Sequence, residues 1–115
     1  MKDRFFKVAD YIAKTGEEAT KHILHENERS NSVIWVVPPG KEVVAHYHPE
    51  TDDTWIILQG KGDYYVAKGE TVPIQAGMVI PAEKGEIHGA KNNGTEPLVF
   101  AAVSAPMPVQ MIKVE

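Results

Sequence analysis

Residues 40–60 read GKEVVAHYHPETDDTWIILQG, a stretch that combines a strand pattern with metal-ligand spacing. His46 and His48 are separated by one residue. Because side chains alternate between the two faces of a strand, both imidazoles point the same way, with Cα atoms about 7 Å apart. Asp53 follows five residues later, and His88 comes forty residues after His48. Imidazole and carboxylate form a common transition-metal ligand set, so we predict a metal site at these four residues.

The composition is that of one ordinary globular domain. The chain has 115 residues, a net charge of −4, 43% hydrophobic residues and 24% charged residues. It contains no cysteine, so any metal site must use nitrogen and oxygen ligands. No run of lysine or arginine occurs, and nucleic acid is therefore not expected as a partner.

The N-terminus lacks the apolar block of a signal peptide, and no apolar run is long enough for a membrane span. We therefore expect a cytoplasmic protein without membrane association.

Short runs of β-branched and aromatic residues alternate with turn residues from residue 20 onward. This pattern predicts an all-β sandwich or barrel with strands about ten residues apart. The predicted strands are 20–25, 32–37, 43–48, 54–59, 63–67, 71–75, 78–81, 87–91, 98–103 and 109–114.

Before these strands, residues 1–19 form an N-terminal extension, read as a short amphipathic helix at Phe5, Val8, Tyr11 and Ile12, or as a strand over 5–8. We treat residues 1–115 as a single domain. Its β-structure covers about 20–103, and its C-terminal strand or tail covers 104–115.

Strand parity separates the inward from the outward side chains of residues 52–59. If Asp53 faces inward, Trp55 and Ile57 do so as well, whereas Asp52 and Ile56 face outward. Trp55 and Ile57 would then form an apolar wall beside the metal. The candidate substrate-pocket residues are Trp55, Ile57, Tyr65, Met78 and Phe100, with Trp35 as a further candidate. For each of them, plain core packing is the alternative interpretation.

The two ligand segments resemble the two sequence motifs of the cupins. The first motif places a glycine, a His-x-His pair, an acidic residue and a second glycine at Gly40, His46, His48, Asp53 and Gly60. The second motif falls on Gly77, Pro81, Gly85, His88 and Asn92. The resemblance implies a small antiparallel β-barrel of the double-stranded β-helix, or jelly-roll-like, type. It also implies a homodimer and one divalent transition metal, which could be Mn, Fe, Ni, Co, Zn or Cu.

Two departures from the cupin pattern affect the site. Asp53 stands where cupins carry glutamate, and its carboxylate is shorter by about 1.5 Å. Because metal–ligand distances vary by only about 0.2 Å, Asp53 is a direct ligand only if the strand or the metal shifts; otherwise it bonds through water. Asp52 and Glu50 are alternative acidic ligands. In the second motif, two additional residues, 83 and 84, predict a longer loop at the mouth of the barrel.

Three functions are compatible with this site. The first is a metal-dependent dioxygenase or related oxidoreductase acting on a small chelating substrate, such as an enol, diketone or phenol. The second is a non-catalytic module that binds a sugar or a small acid. The third is a metal-assisted sugar isomerase or epimerase, whose acid–base pair could come from Glu50, Tyr65 or Glu86. Outside the motifs we interpret the remaining histidines, His22 and His25, as structural or solvent-facing.

Overall fold

The structure is a computed structural model, which describes residues 4–115. The first three residues of the predicted N-terminal extension therefore lie outside the described residues. One helix, α1 (Val8–Ala13), precedes ten strands in the described part of the chain. The strands are β1 (Thr20–Glu26), β2 (Asn31–Val37), β3 (Glu42–Tyr47), β4 (Asp52–Gln59), β5 (Lys61–Ala67), β6 (Glu70–Gln75), β7 (Val79–Ala82), β8 (His88–Lys91), β9 (Leu98–Ala105) and β10 (Ile112–Lys113).

The strands form two five-stranded antiparallel sheets that face each other across the core. The first sheet has the order β1-β2-β9-β4-β7, and the second has the order β10-β3-β8-β5-β6. The predicted all-β antiparallel architecture is confirmed, but the sheets are not closed into a continuous barrel. Over residues 4–115 the hydrogen-bonded strand neighbours lie within one sheet or the other, so each sheet has two edge strands: β1 and β7 in the first sheet, β10 and β6 in the second. No helix of this part of the chain is long and apolar enough to cross a membrane.

The predicted elements agree with the observed ones except at the C-terminus. The predicted helix is present as α1 (Val8–Ala13), and Val8, Tyr11 and Ile12 pack on the outer face of the first sheet, against a cluster that includes Val36 and Val99. Phe5, which we placed on the same helix, precedes it and is 82% exposed, and the alternative strand over residues 5–8 is not formed. The predicted strand 109–114 shortens to β10 (Ile112–Lys113), which pairs with β3. The backbone before β10 is used differently, since the Gln110 carbonyl accepts a hydrogen bond from the ring of His48.

The predicted parity of β4 is confirmed. Asp53, Trp55 and Ile57 are buried, whereas Asp52 and Ile56 are exposed. Trp55 stacks on Phe100 of the neighbouring β9, with ring centroids 3.8 Å apart. The alternation therefore directs Asp53 into the space between the sheets, at the end of the aromatic core.

A close approach between β3 and β8 sets the position of His88. The register of this pair shifts between Val43 and His46, and His46 then stands directly opposite His88. Gly89 sits beside this irregularity with a φ of +149°, and a Cβ there would lie 2.7 Å from the carbonyl oxygens of both Val43 and Val44. Only glycine fits here, because it has no Cβ and adopts positive φ freely.

Replacing Gly89 with alanine should lower the free energy of unfolding by about 3 kcal/mol, because the new methyl group meets backbone atoms that cannot move independently. Urea denaturation followed by circular dichroism measures the loss. Gly69→Ala is the control, since Gly69 also has a positive φ, +74°, but a methyl group added there would have no atom within 4 Å. The control should lose only about 1 kcal/mol, the conformational cost alone. Equal losses in the two variants would contradict the steric explanation.

Candidate metal centre

Four side chains converge between the sheets. Three of them come from β3, β4 and β8, and the fourth, that of His48, comes from the residue that follows β3. The candidate ligand atoms of His46, His48, Asp53 and His88 all lie within 4.8 Å of one another, and all four residues are buried. Asp53 Oδ2 is 3.3 Å from His48 Nε2 and 3.1 Å from His88 Nε2. Residues distant in sequence therefore meet at one point, as the motif spacing indicated.

Backbone carbonyls orient the three imidazole rings. The Nδ1 atoms of His46 and His48 donate to the carbonyls of Val44 and Gln110, both at 2.7 Å, and His88 Nδ1 donates to the carbonyl of Glu86 at 3.1 Å. A carbonyl only accepts, so each Nδ1 carries the hydrogen and each neutral ring presents its Nε2 lone pair. Metal-ligating histidines are held in this way through their other ring nitrogen. The sequence did not identify these partners, because backbone carbonyls have no residue-specific signal.

The electrostatics of the cluster favour a cation at its centre. Burial lowers the pKa of His46 to about 4, so this ring is neutral near pH 7. Burial alone would lower the pKa of His48 as well, but the hydrogen bonds to Asp53 and Gln110 raise it above its ordinary value. Burial would raise the pKa of Asp53, yet the hydrogen bond with His48 holds it far below its usual range. The carboxylate is thus ionised and the cluster attracts positive charge, either a proton on His48 or a metal ion.

A buried acceptor atom without a hydrogen-bond donor also indicates a metal site. His88 Nε2 is fully buried and has no hydrogen-bond partner among the described residues, although Asp53 Oδ2 is 3.1 Å away. Its lone pair and the carboxylate are both acceptors, so neither can satisfy the other unless a cation lies between them. An arrangement of three imidazole nitrogens and one carboxylate oxygen suits a divalent transition ion.

Ser104 holds Asp53 from the neighbouring strand. The two residues are partners in the β4–β9 register, and Ser104 Oγ donates to Asp53 Oδ1 at 3.2 Å. Asp53 Oδ2 is left facing the imidazoles, so the shorter carboxylate comes close to two ring nitrogens; its direct ligation stays a prediction. Ser104 lies one residue beyond the predicted β-structure and was missed as a site residue, although the alternation Phe100, Ala102, Ser104 was a signal for an inward side chain.

The alternative acidic ligands lie outside the cluster. Asp52 points away, and its Oδ1 accepts a hydrogen bond from the backbone N–H of Lys84 at 2.9 Å. Glu50 is exposed and lines a different cavity, beside the proline segment 106–108. Both alternatives are wrong for this structure because the β4 alternation and the loop before it direct these carboxylates outward.

The loop between β7 and β8 contains the two additional residues and is tied to the site. The Glu86 N–H donates to the Glu83 carbonyl at 2.9 Å, and the Glu86 carboxylate accepts from the Glu83 N–H at 2.7 Å. The Gly85 N–H donates to the His48 carbonyl at 2.8 Å. The loop therefore fixes the backbone of two cluster histidines at once, since His88 follows it directly.

Asn92 closes the turn after β8. Its side chain is fully buried and donates to the carbonyls of Val37 and Glu96, both at 2.8 Å. Its Oδ1 accepts a hydrogen bond from the Gly94 N–H at 2.8 Å. Asn92 is thus a structural residue of the turn and not part of the metal cluster.

A cavity of about 140 Å³ opens onto the cluster from the β1 side of the molecule. Its apolar walls come from β2, β9 and the segment before β10, and its polar groups from β1, β2 and β9. The lining residues other than His46, His48 and Asp53 are Lys21, Asn31, Val33, Trp35, Ala102, Ser104, Val109 and Met111.

The predicted pocket residues are placed elsewhere, with the exception of the further candidate Trp35. Trp55, Ile57 and Phe100 pack in the core beneath the cluster, where the Trp55 ring meets that of His88 edge-on at 5.9 Å. Tyr65 donates to the Glu42 carboxylate at 2.7 Å on the outside of the second sheet, and Met78 is a partly exposed residue before β7. The inward side chains of β4 fill the space between the sheets, so they support the cluster from below and leave its opening to other strands.

The C-terminal segment forms part of the cavity wall. Val109 and Met111 line the cavity while the Gln110 carbonyl, between them, binds His48. Thr51 Oγ1 donates to the Pro106 carbonyl at 2.9 Å and anchors the segment to the loop before β4. Met107 and Pro108 of this segment lie beside Glu50 and Thr51.

The two histidines outside the motifs have other roles. His22 Nε2 is 2.9 Å from Thr15 Oγ1 and its ring lies against Tyr11, so it joins β1 to the helical segment. His25 is exposed and lies 3.4 Å from the Asn27 amide. Their structural and solvent-facing assignments are confirmed.

Comparisons with known proteins agree with the fold. The cupin domain family matches residues 33–104, which include the four cluster residues. An uncharacterized protein of Aquifex aeolicus (strain VF5) is 32% identical over 84 residues, which make up 73% of this chain and 68% of that protein. The crystal structure of an uncharacterized conserved protein with a double-stranded β-helix domain, from Klebsiella pneumoniae subsp. pneumoniae MGH 78578, is 32% identical, with a TM-score of 0.91 and 99% of each chain covered.

A third similar structure has a functional name. It is that of a predicted oxalate decarboxylase from Thermotoga maritima, which is 27% identical to this chain and has a TM-score of 0.67. The match covers 78% of this chain and 93% of the other.

His46→Ala and His88→Ala should each abolish tight metal binding and leave the protein folded, because the aromatic core lies outside the cluster. Each variant should lose about 2 kcal/mol of stability through the small cavity it creates. Elemental analysis of purified protein measures the bound metal, and a thermal melt measures the fold. His25→Ala is the matched control, since it removes an exposed histidine. Wholesale unfolding of either cluster variant at room temperature would contradict this account.

Metal affinity should fall as the pH decreases, beginning above pH 6.5, the ordinary pKa of histidine. The pKa of His48 is raised, so its proton competes with the ion already near neutrality. Titration calorimetry with Ni²⁺ at several pH values measures the effect. In Asp53→Asn the affinity should be lower overall, but its fall should begin at a lower pH, because the carboxylate that raises the pKa of His48 is gone. An affinity that stays constant down to about pH 5 would contradict the assignment.

Proposed function

This chain belongs to the cupin family, and on that premise we propose that it is a metal-dependent enzyme of the oxygenase type. It would add dioxygen to a small substrate that chelates the metal through its own oxygen atoms. One observation carries the proposal: three Nε2 lone pairs and a carboxylate converge between the sheets, and two of these histidines, His46 and His48, line an open cavity together with Asp53.

The four cluster residues would hold one divalent transition ion. Mn, Fe, Ni, Co, Zn and Cu all accept imidazole and carboxylate donors, and the site does not distinguish among them by ligand type alone. When bound, the ion supplies Lewis acidity and, if it is redox-active, an electron path to dioxygen. Three neutral imidazoles and one carboxylate reduce the charge of the site from +2 to +1, so a chelating anion is still attracted.

The residues around the cavity favour chemistry at a metal over acid–base chemistry. Among the described residues that line the cavity, Lys21 and Asp53 are the titratable side chains other than the histidines. Asp53 is held by Ser104 and the imidazoles, so it is not free to act as a base. The three residues considered as the acid–base pair of an isomerase do not line this cavity. Glu50 lines a different cavity, and the Tyr65 hydroxyl donates a hydrogen bond to the Glu42 carboxylate. The Glu86 carboxylate accepts a hydrogen bond from the Glu83 N–H within its own loop.

The cavity walls would place and protect the substrate. Val33, Ala102, Val109 and Met111 exclude water from the face of the cluster that opens to the cavity, which strengthens electrostatic interactions there. The volume, about 140 Å³, equals that of about five water molecules, which favours a small acid or enol over a sugar. The similarity to a predicted oxalate decarboxylase supports chemistry on small oxygen-rich acids, although one fold can serve many reactions. The predicted homodimer and the cytoplasmic location stay predictions.

Oxygen uptake tests the proposal. Protein loaded in turn with Fe²⁺, Mn²⁺, Ni²⁺ and Cu²⁺ should consume dioxygen with at least one metal and one member of a panel of enols, diketones, phenols and 2-oxo acids. Substrate should disappear in proportion to the oxygen consumed. His48→Ala should abolish the uptake, whereas the control His25→Ala should retain it. If no combination consumes oxygen and bound ligands are recovered unchanged, the oxygenase proposal fails and the non-catalytic binding module is favoured.

A further inference from the structure

With a divalent ion bound, the cavity would carry a charge opposite to that of the protein as a whole. The chain has a net charge of −4, yet Lys21 is the one cationic side chain, and Asp53 the one carboxylate, that line the described cavity. The site with a divalent ion bound has a charge of +1, and Lys21 adds another, for a total of +2. A cleft with partly apolar walls concentrates such a field, so an anion would be drawn into this cavity and repelled by much of the remaining surface.

Lys21 lies at the rim, on the edge strand β1. It is paired with Trp35 in the β1–β2 register, and both side chains line the cavity. Its neighbour His22 faces the other way, toward Thr15, as strand alternation requires. Among residues 4–115 the observed ion pairs do not include Lys21. The ammonium group can therefore serve as a flexible point charge for a ligand.

The remaining lining divides the cavity into a polar end and an apolar middle. Asn31 and Ser104 are partners in the β2–β9 register and lie at the Asp53 end. Val33 and Ala102 form the next inward-facing pair along the same two strands, and Met111 faces them from the C-terminal segment. A ligand that fits this order has oxygen atoms at one end, a short carbon skeleton, and a charge near the rim.

We propose that Lys21 binds a carboxylate of the substrate at the rim, and that the substrate is a small organic acid whose other end chelates the metal. The carbon skeleton would lie between the Trp35 indole and the apolar side chains opposite. This inference rests on the proposed function, because the second attachment point is the metal held by the cluster. Lys21 would thus be a specificity-determining residue, whereas the histidines determine whether any metal is present.

Calorimetric titration of Ni²⁺-loaded protein with malonate tests the role of Lys21, with malonamide as the neutral probe of similar shape. The unmodified protein should bind malonate at least about tenfold more tightly than malonamide, in line with a charge-assisted hydrogen bond. Lys21→Met should lose about tenfold in malonate affinity and little in malonamide affinity, so its preference for malonate should shrink to the part that the metal itself confers. Lys21→Arg should retain most of both, since it keeps the charge. Lys68→Met, at the β5–β6 turn away from the cavity, is the matched control and should bind malonate normally.

Nickel content, measured on each variant before titration, separates the possible failures. Full nickel occupancy with equal malonate affinity in Lys21→Met and the unmodified protein would overturn the role of Lys21 and leave the metal site intact. Loss of nickel from both Lys21→Met and Lys21→Gln would assign Lys21 to the integrity of the cluster and would also overturn the substrate role. Absence of nickel from the unmodified protein would overturn the proposed function and this inference together.

Discussion

A carboxylate buried against imidazole lone pairs is the constraint on which the site depends. Asp53 is ionised, buried and within 3.3 Å of two ring nitrogens whose opposite nitrogens already donate to backbone carbonyls. Such an arrangement of acceptors is stable only with a positive charge among them. In the metal-free protein the proton on His48 can supply that charge, which explains why its pKa is raised although the ring is buried. A bound metal ion would supply the charge more completely, because several donors could share it.

The fold holds these donors in place from three directions. The pairing of His46 with His88 depends on Gly89, which lets β8 approach the irregular part of β3. Asp53 is fixed laterally by Ser104 of β9. From below, Trp55 packs between Phe100 and the ring of His88. Each donor therefore has support outside the cluster, so removal of one ligand should affect metal binding much more than folding.

Sequence patterns predicted the metal cluster well and the cavity poorly, for a physical reason. The ligands carry distinctive chemistry at fixed spacing, and the parity of β4 was enough to separate Asp53 from Asp52. The backbone partners of the rings, above all the Gln110 carbonyl, depend on how a distant segment folds back and have no sequence signature. The apolar residues Trp55 and Phe100 could equally have lined a pocket or filled the core, and only the spacing of the two sheets decides between these roles. Lys21 could have been found by extending the alternation of side chains to β1.

The four cluster residues and several of the residues that line the cavity lie in different parts of the chain, and this separation bears on how members of the family can differ. The family match spans residues 33–104, which contain every member of the metal cluster, whereas Lys21, Val109 and Met111 lie outside it. The strands that carry the four candidate ligands are thus separate from two of the segments that line the cavity beside them. Changes in β1 or in the C-terminal segment can alter which ligand enters without disturbing the carboxylate or the imidazoles, apart from the one carbonyl that Gln110 provides. Relatives with the same four ligands can therefore act on different substrates, and the residues at the edge strand and in the C-terminal segment are where such differences should be sought.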